Sequence, residues 1–140
     1  MPDDTPPNPP RRRPPMGRED RLTVRVPPAM LADFQNVATL RYCDMTGLIR
    51  ARLAHEAMSH PGPGYLPRPL TAPDYSRPGW DARATAQLQM RLPRVLIDAL
   101  DALAEASGVP RSTIVRWLIA EYVESFFNTI DLMTRIEANE

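Results

Sequence analysis

Arg21-Leu22-Thr23-Val24-Arg25-Val26-Pro27 alternates polar and apolar residues, then stops at proline. Alternation at period two describes a half-buried β-strand. Leu22, Val24 and Val26 would face a core. Arg21, Thr23 and Arg25 would face away from it. The pattern returns sixty-six residues later as Gln87-Leu88-Gln89-Met90-Arg91-Leu92-Pro93. There the inward set is Leu88, Met90 and Leu92, and the outward set is Gln87, Gln89 and Arg91. None of the six outward residues is acidic. An indifferent polar sheet face would be expected to include acids.

Each strand pattern is followed by two helical ones. Pro27-Pro28 suits a helix start, because proline fixes φ and the first turn needs no donor. Met30, Leu31, Phe34, Val37, Ala38 and Leu40 then recur at helical spacing. Asp44 is a good N-cap for a second helix carrying Leu48, Ile49, Leu53 and Ala57, fading near His60. After the second strand, Val95, Leu96, Leu100, Leu103 and Ala104 predict a helix that Gly108 terminates. Pro110 and Ser112 open a last helix with Ile114, Val115, Leu118, Ile119, Tyr122, Val123 and Phe126 on one stripe. Phe127, Ile130, Met133 and Ile136 extend it toward the C-terminus, unless it breaks near Asn128-Thr129.

Residues 22–57 align with positions sixty-six further on without a gap. Thirteen positions are apolar in both copies, from Leu22/Leu88 and Phe34/Leu100 to Leu53/Ile119 and Ala57/Val123. Arg25/Arg91, Pro27/Pro93 and Arg50/Arg116 are identical. A shared apolar register with divergent surfaces indicates a duplicated fold. The predicted organisation is a Pro- and Arg-rich disordered tail over 1–20, a first unit over 21–58 and a Pro/Gly-rich linker over 59–85. A second unit follows over 86–127, then a C-terminal helical extension or tail over 128–140. The linker could be pinned through Tyr65, Tyr75 and Trp80, or those rings could be exposed.

The composition bounds the function. The chain has 140 residues, 43% of them apolar, and a formal net charge of zero. It has no apolar run of transmembrane length and no secretory h-region. Cys43 is the only cysteine, so no intramolecular disulfide forms. A cytoplasmic protein is expected. All seventeen basic residues are Arg. A GC-rich genome would account for that; the functional alternative is that Arg forks suit phosphate and guanine edges better than Lys does. His55 and His60 lack a cluster of ligands, and no Gly-rich phosphate loop is present. No catalytic residue, metal or cofactor is implied.

A lone strand with two helices cannot close a core, because its edges stay open and each helix buries one face. Two such units pair their strands antiparallel over four helices. "RLTVRVP" and "QLQMRLP", each before two helices, resemble the ribbon-helix-helix family of DNA-binding proteins, the MetJ and Arc type. The resemblance covers about eighty residues of the chain. It implies a mostly α fold with a two-stranded antiparallel ribbon, here an intramolecular pseudo-dimer. It implies double-stranded DNA as partner and no enzymatic activity, in a repressor or a plasmid transfer or maintenance accessory factor on the nucleoid. Base contacts would fall to Arg21, Thr23, Arg25, Gln87, Gln89 and Arg91. Phosphate contacts would fall to Thr46, Gly47, Arg111, Ser112 and Thr113 at the second-helix N-termini, and to Arg11, Arg12 and Arg13 in the basic tail. Asp44, close to one phosphate position, departs from that picture. So does Arg52, which stands where the second copy has Leu118. The alternative is an antitoxin-like or other protein-interaction module, gripping a partner through the acidic C-terminal stretch of Glu121, Glu124, Asp131, Glu137 and Glu140. Self-association through the C-terminal helix is compatible with either.

Overall fold

The computed structural model describes residues 19–59 and 67–139. Their order is β1 (Glu19–Val26), α1 (Pro28–Leu40), α2 (Met45–Ser59), β2 (Ala86–Pro93), α3 (Arg94–Ser107) and α4 (Arg111–Ala138). β1 and β2 pair antiparallel into one two-stranded sheet, with Thr23 opposite Gln89 at its centre. The expected fold class, mostly helical with an antiparallel ribbon, is the one the chain adopts. Arg11, Arg12, Arg13, His60 and Tyr65 fall outside the described residues.

The alternation of the two strands carries directly into packing. Leu22, Val24, Val26, Leu88, Met90 and Leu92 are all buried, and every second residue between them is exposed. Beneath them lie Phe34, Ile49, Leu53, Leu100, Leu103, Ile114, Leu118 and Ile119, each fully buried. Burial of apolar area at roughly 25 cal/mol per Å² is the main force holding the two strand-helix-helix segments together. Of the thirteen apolar pairs, ten are buried in both members. Leu31, Ala54 and Ala57 are only half-buried, while their partners Ile97, Ala120 and Val123 are buried. The first segment therefore presents the narrower apolar stripe. Across the segments, the Tyr122 hydroxyl donates to the Leu48 carbonyl at 2.8 Å, and its ring centroid lies 6.4 Å from that of Phe34. Burial raises the Tyr122 pKa, which keeps the phenol a donor.

Two expectations need correction. β1 begins at Glu19, inside the span read as tail. Glu19 and Asp20 continue the ladder opposite Pro93 and Leu92, and their carboxylates meet Arg50 and Arg94, each at 3.1 Å. Of the two alternatives for the C-terminal stretch, α4 takes the continuous one and runs through Asn128-Thr129 to Ala138. The second correction is that Leu40 and Val95 are 63% and 61% exposed. At 100° per residue Leu40 sits about 120° from Phe34 and Val95 about 140° from Leu100, so neither shares the buried face. Of the two alternatives for the linker rings, Tyr75 and Trp80 take the pinned one, and the described part of the linker is anchored.

That anchor is a strap. The Leu70 N–H donates to Ser107 Oγ at 2.9 Å. Farther along, Trp80 is 8% exposed and its Nε1 donates to Asp33 Oδ2 at 2.8 Å. Arg77 meets the same oxygen at 3.2 Å and lies 4.1 Å above the Phe127 ring. Tyr75 packs edge-on against Trp80. Gly79 adopts φ of 85°, and a Cβ there would stand 2.7 Å from the Ala29 Cβ. The tight turn against α1 thus requires glycine.

Candidate nucleic-acid interface

The outer face of the ribbon gathers all six residues expected there. Arg21 lies opposite Arg91, Thr23 opposite Gln89 and Arg25 opposite Gln87. All six are exposed. Among the described residues, none of these side chains makes a hydrogen bond or ion pair. Three guanidiniums, two amides and a hydroxyl therefore stand ready as donors, and the amides and the hydroxyl also as acceptors.

The ribbon is held from below by a pair of arginines whose roles sequence reasoning missed. Arg50 on α2 donates to the main-chain carbonyl of Arg91 at 2.9 Å. Arg116 on α4 donates to the carbonyl of Arg25 at 3.0 Å. Each arginine thus reaches the strand of the other segment, at the residue that is itself identical in both copies. Their identity across the repeat was the available signal. It could not reveal the partner, since a backbone carbonyl leaves no mark in sequence. These bonds fix the main chain that carries Arg91 and Arg25.

The same bonds tell which helix start stands at which end. The N-terminal turn of α2 lies by Arg21 and Arg91. Thr46, Arg50, Arg21, Gln89 and Arg91 line one shallow cleft of about 340 Å³ there. The N-terminal turn of α4 lies by Arg25 and Gln87. The two turns differ chemically. Asp44 folds its carboxylate back to accept the Gly47 N–H, so a donor expected for phosphate is already spent. Glu19 and Asp20 add two carboxylates at that end, which hold Arg50 and Arg94 in ion pairs. The α4 turn follows Pro110, which supplies no side-chain cap. Thr113 accepts from Arg116 at 3.0 Å, and Arg111 pairs with Asp101 at 2.9 Å. Ser112 is half-buried beside them. Without a side-chain cap this helix start keeps the N–H groups of Arg111 and Ser112 and its positive dipole end for an anion, while the Thr113 N–H donates to the Pro110 carbonyl at 3.0 Å.

Arg52 pairs within its own helix with Glu56 at 3.1 Å and reaches Glu121 of α4 at 3.7 Å. The charge that narrows the first segment's core is therefore met by acids on both segments. Cys43 is exposed and His55 is exposed, and the described residues contain no group of three metal-ligating side chains. No described helix is long and apolar enough to cross a membrane.

A paired ribbon over four helices, with an uncommitted polar outer face, defines a class before any comparison. Residues 86–125 match the family described as ribbon-helix-helix protein, copG family. These residues form a ribbon-helix-helix unit. Members of that family are DNA-binding transcription regulators. The matched span ends short of the first segment, which carries the same order of strand, helix and helix over residues 19–59. No curated protein and no solved structure matches the chain.

Proposed function

We propose that the chain is a sequence-specific double-stranded DNA-binding protein, acting as a transcriptional repressor or a plasmid transfer or maintenance accessory factor in the cytoplasm. In this reading residues 19–59 are a second, diverged ribbon-helix-helix unit, and one chain makes the pseudo-dimer that two chains otherwise supply. The observation that carries it is the ribbon face, where six exposed donors have no partner among the described residues. A two-stranded ribbon fits the major groove, where each base pair shows a distinct donor and acceptor pattern. Phosphates flank it at the α4 start near Ser112 and Thr113 and at Thr46, and Arg11, Arg12 and Arg13 add contacts that salt weakens.

Arg91→Ala tests this. On a site selected from random DNA the loss should be about 1–3 kcal/mol, and on unrelated DNA much less. Electrophoretic titration on both DNAs measures it. Equal losses would place Arg91 on phosphate. No preferred site at all, together with a co-purifying protein, would favour the antitoxin-like reading.

Self-association has its own observation. Ile130, Leu132, Met133 and Ile136 at the end of α4 are 46–57% exposed. A projecting helix of this kind gains by covering that stripe with a second copy. Ending the chain at Asn128 removes none of the buried core. Light scattering should then show a folded monomer, with the full chain larger. An obligate dimer of the shortened chain would defeat the pseudo-dimer.

A further inference from the structure

Behind the ribbon end held by Arg116, a cleft of about 430 Å³ opens between the strap, the start of α1 and α4. Its walls include Tyr75, Trp80, Trp117, Met30 and Arg116, with Asp74 on the strap. The volume lies within the range of small-molecule sites, which pair apolar walls with a few polar groups. Among the described residues the strap has no counterpart beside the first segment, and Trp117 takes the place that Ala51 holds there.

Arg116 is the polar group that matters. Its sequence mate Arg50 has a counter-ion, Glu19 at 3.1 Å. Arg116 donates to the Arg25 carbonyl and to Thr113 Oγ1, and among the described residues it meets no carboxylate. It is half-buried. A guanidinium carries five N–H donors, so these two bonds leave about three for another acceptor. A partly desolvated cation without a counter-ion favours an anion. Bare phosphate matches the charge and not the walls. Aromatic rings and a thioether favour a ring-bearing ligand. Asp74, exposed and unpaired among the described residues, disfavours a second negative charge.

We propose that this cleft binds a small aromatic monoanion, a carboxylate or sulfonate, with its acid group on Arg116 and its ring between Trp117 and Tyr75. The inference stands apart from the DNA-binding reading, since it rests on the cleft alone.

Anilinonaphthalene sulfonate is a suitable probe, and the protein's only two tryptophans, Trp80 and Trp117, both line the cleft. Titration into the full chain should quench their emission with one saturable site. Arg116→Gln should weaken binding roughly tenfold or more, the loss expected for a charge-assisted hydrogen bond. The uncharged dye phenylnaphthylamine should bind the wild type and Arg116→Gln alike. Should Arg116→Gln fail to fold, Trp117→Ala carries the test, with a comparable loss for both dyes. Unchanged sulfonate binding in either variant would overturn the proposal. So would displacement of the dye by equimolar inorganic phosphate, which would assign Arg116 to phosphate instead.

Discussion

Trp80→Ala is expected to lower the free energy of unfolding by about 3 kcal/mol, the low end for removing a buried aromatic side chain. Trp80 is 8% exposed and forms part of the core cluster with strand and helix residues. The low end applies because one edge of the ring borders the open cleft beside α4. Its Nε1–H also satisfies Asp33, which keeps Arg77 at 3.2 Å when the indole is lost. The cost is therefore mainly packing, with little from an orphaned carboxylate. For a chain of this size the melting temperature should fall by roughly 10 °C. Denaturant unfolding followed by far-UV circular dichroism measures it. Trp80→Phe should recover part of the loss, since it returns one aromatic ring and gives up the rest of the indole with its N–H bond. A change within about 0.5 kcal/mol, as for an ordinary surface site, would show that the strap is peripheral to folding.

The strap shows where sequence becomes silent. The ribbon was legible because alternation, two terminal prolines and a constant offset all agree, and a one-residue slip would have turned Leu22, Val24 and Val26 into water. The register with Thr23 opposite Gln89 follows from the centre of each strand. The helices were legible through their stripes, and Gly108 as a terminator, with φ of 70°. Its counterpart in the first segment is Tyr42, which holds φ of 57° without glycine's freedom, so no such signal was available there. The strap offers no period at all. It is held by Trp80 meeting one carboxylate forty-seven residues earlier in the chain, and composition alone does not decide between pinned and exposed rings. Arg50 and Arg116 were visible as identities, but their acceptors are carbonyls. Asp44 is legible as a helix cap from its type and place, and its bond to the Gly47 N–H makes it one.

Selection from random DNA should return an imperfect palindrome bound in one fixed orientation. Arg21 and Arg91 stand together at one end of the ribbon, and Arg25 stands with Gln87 at the other. Arginine suits the O6 and N7 acceptors of guanine, and glutamine pairs with adenine. The first end should therefore prefer guanine, and the second should mix guanine with adenine. The flanks reinforce the difference. Asp44, Glu19 and Asp20 lie toward the guanine-reading end, while the α4 start at the other end lacks a side-chain cap. Phosphate anchorage should be firmer there, since an uncapped helix start attracts an anion that a capped and acidic one does not. Gln87→Arg should shift preference toward guanine at that end alone. A bidentate contact is worth about 1–3 kcal/mol, so the new site should gain a factor of roughly 5 to 150 over the old one. Footprinting with an end-labelled site gives the orientation. A symmetric consensus, or a Gln87→Arg change appearing at both ends, would mean that the two strands do not read DNA as a single-chain pair.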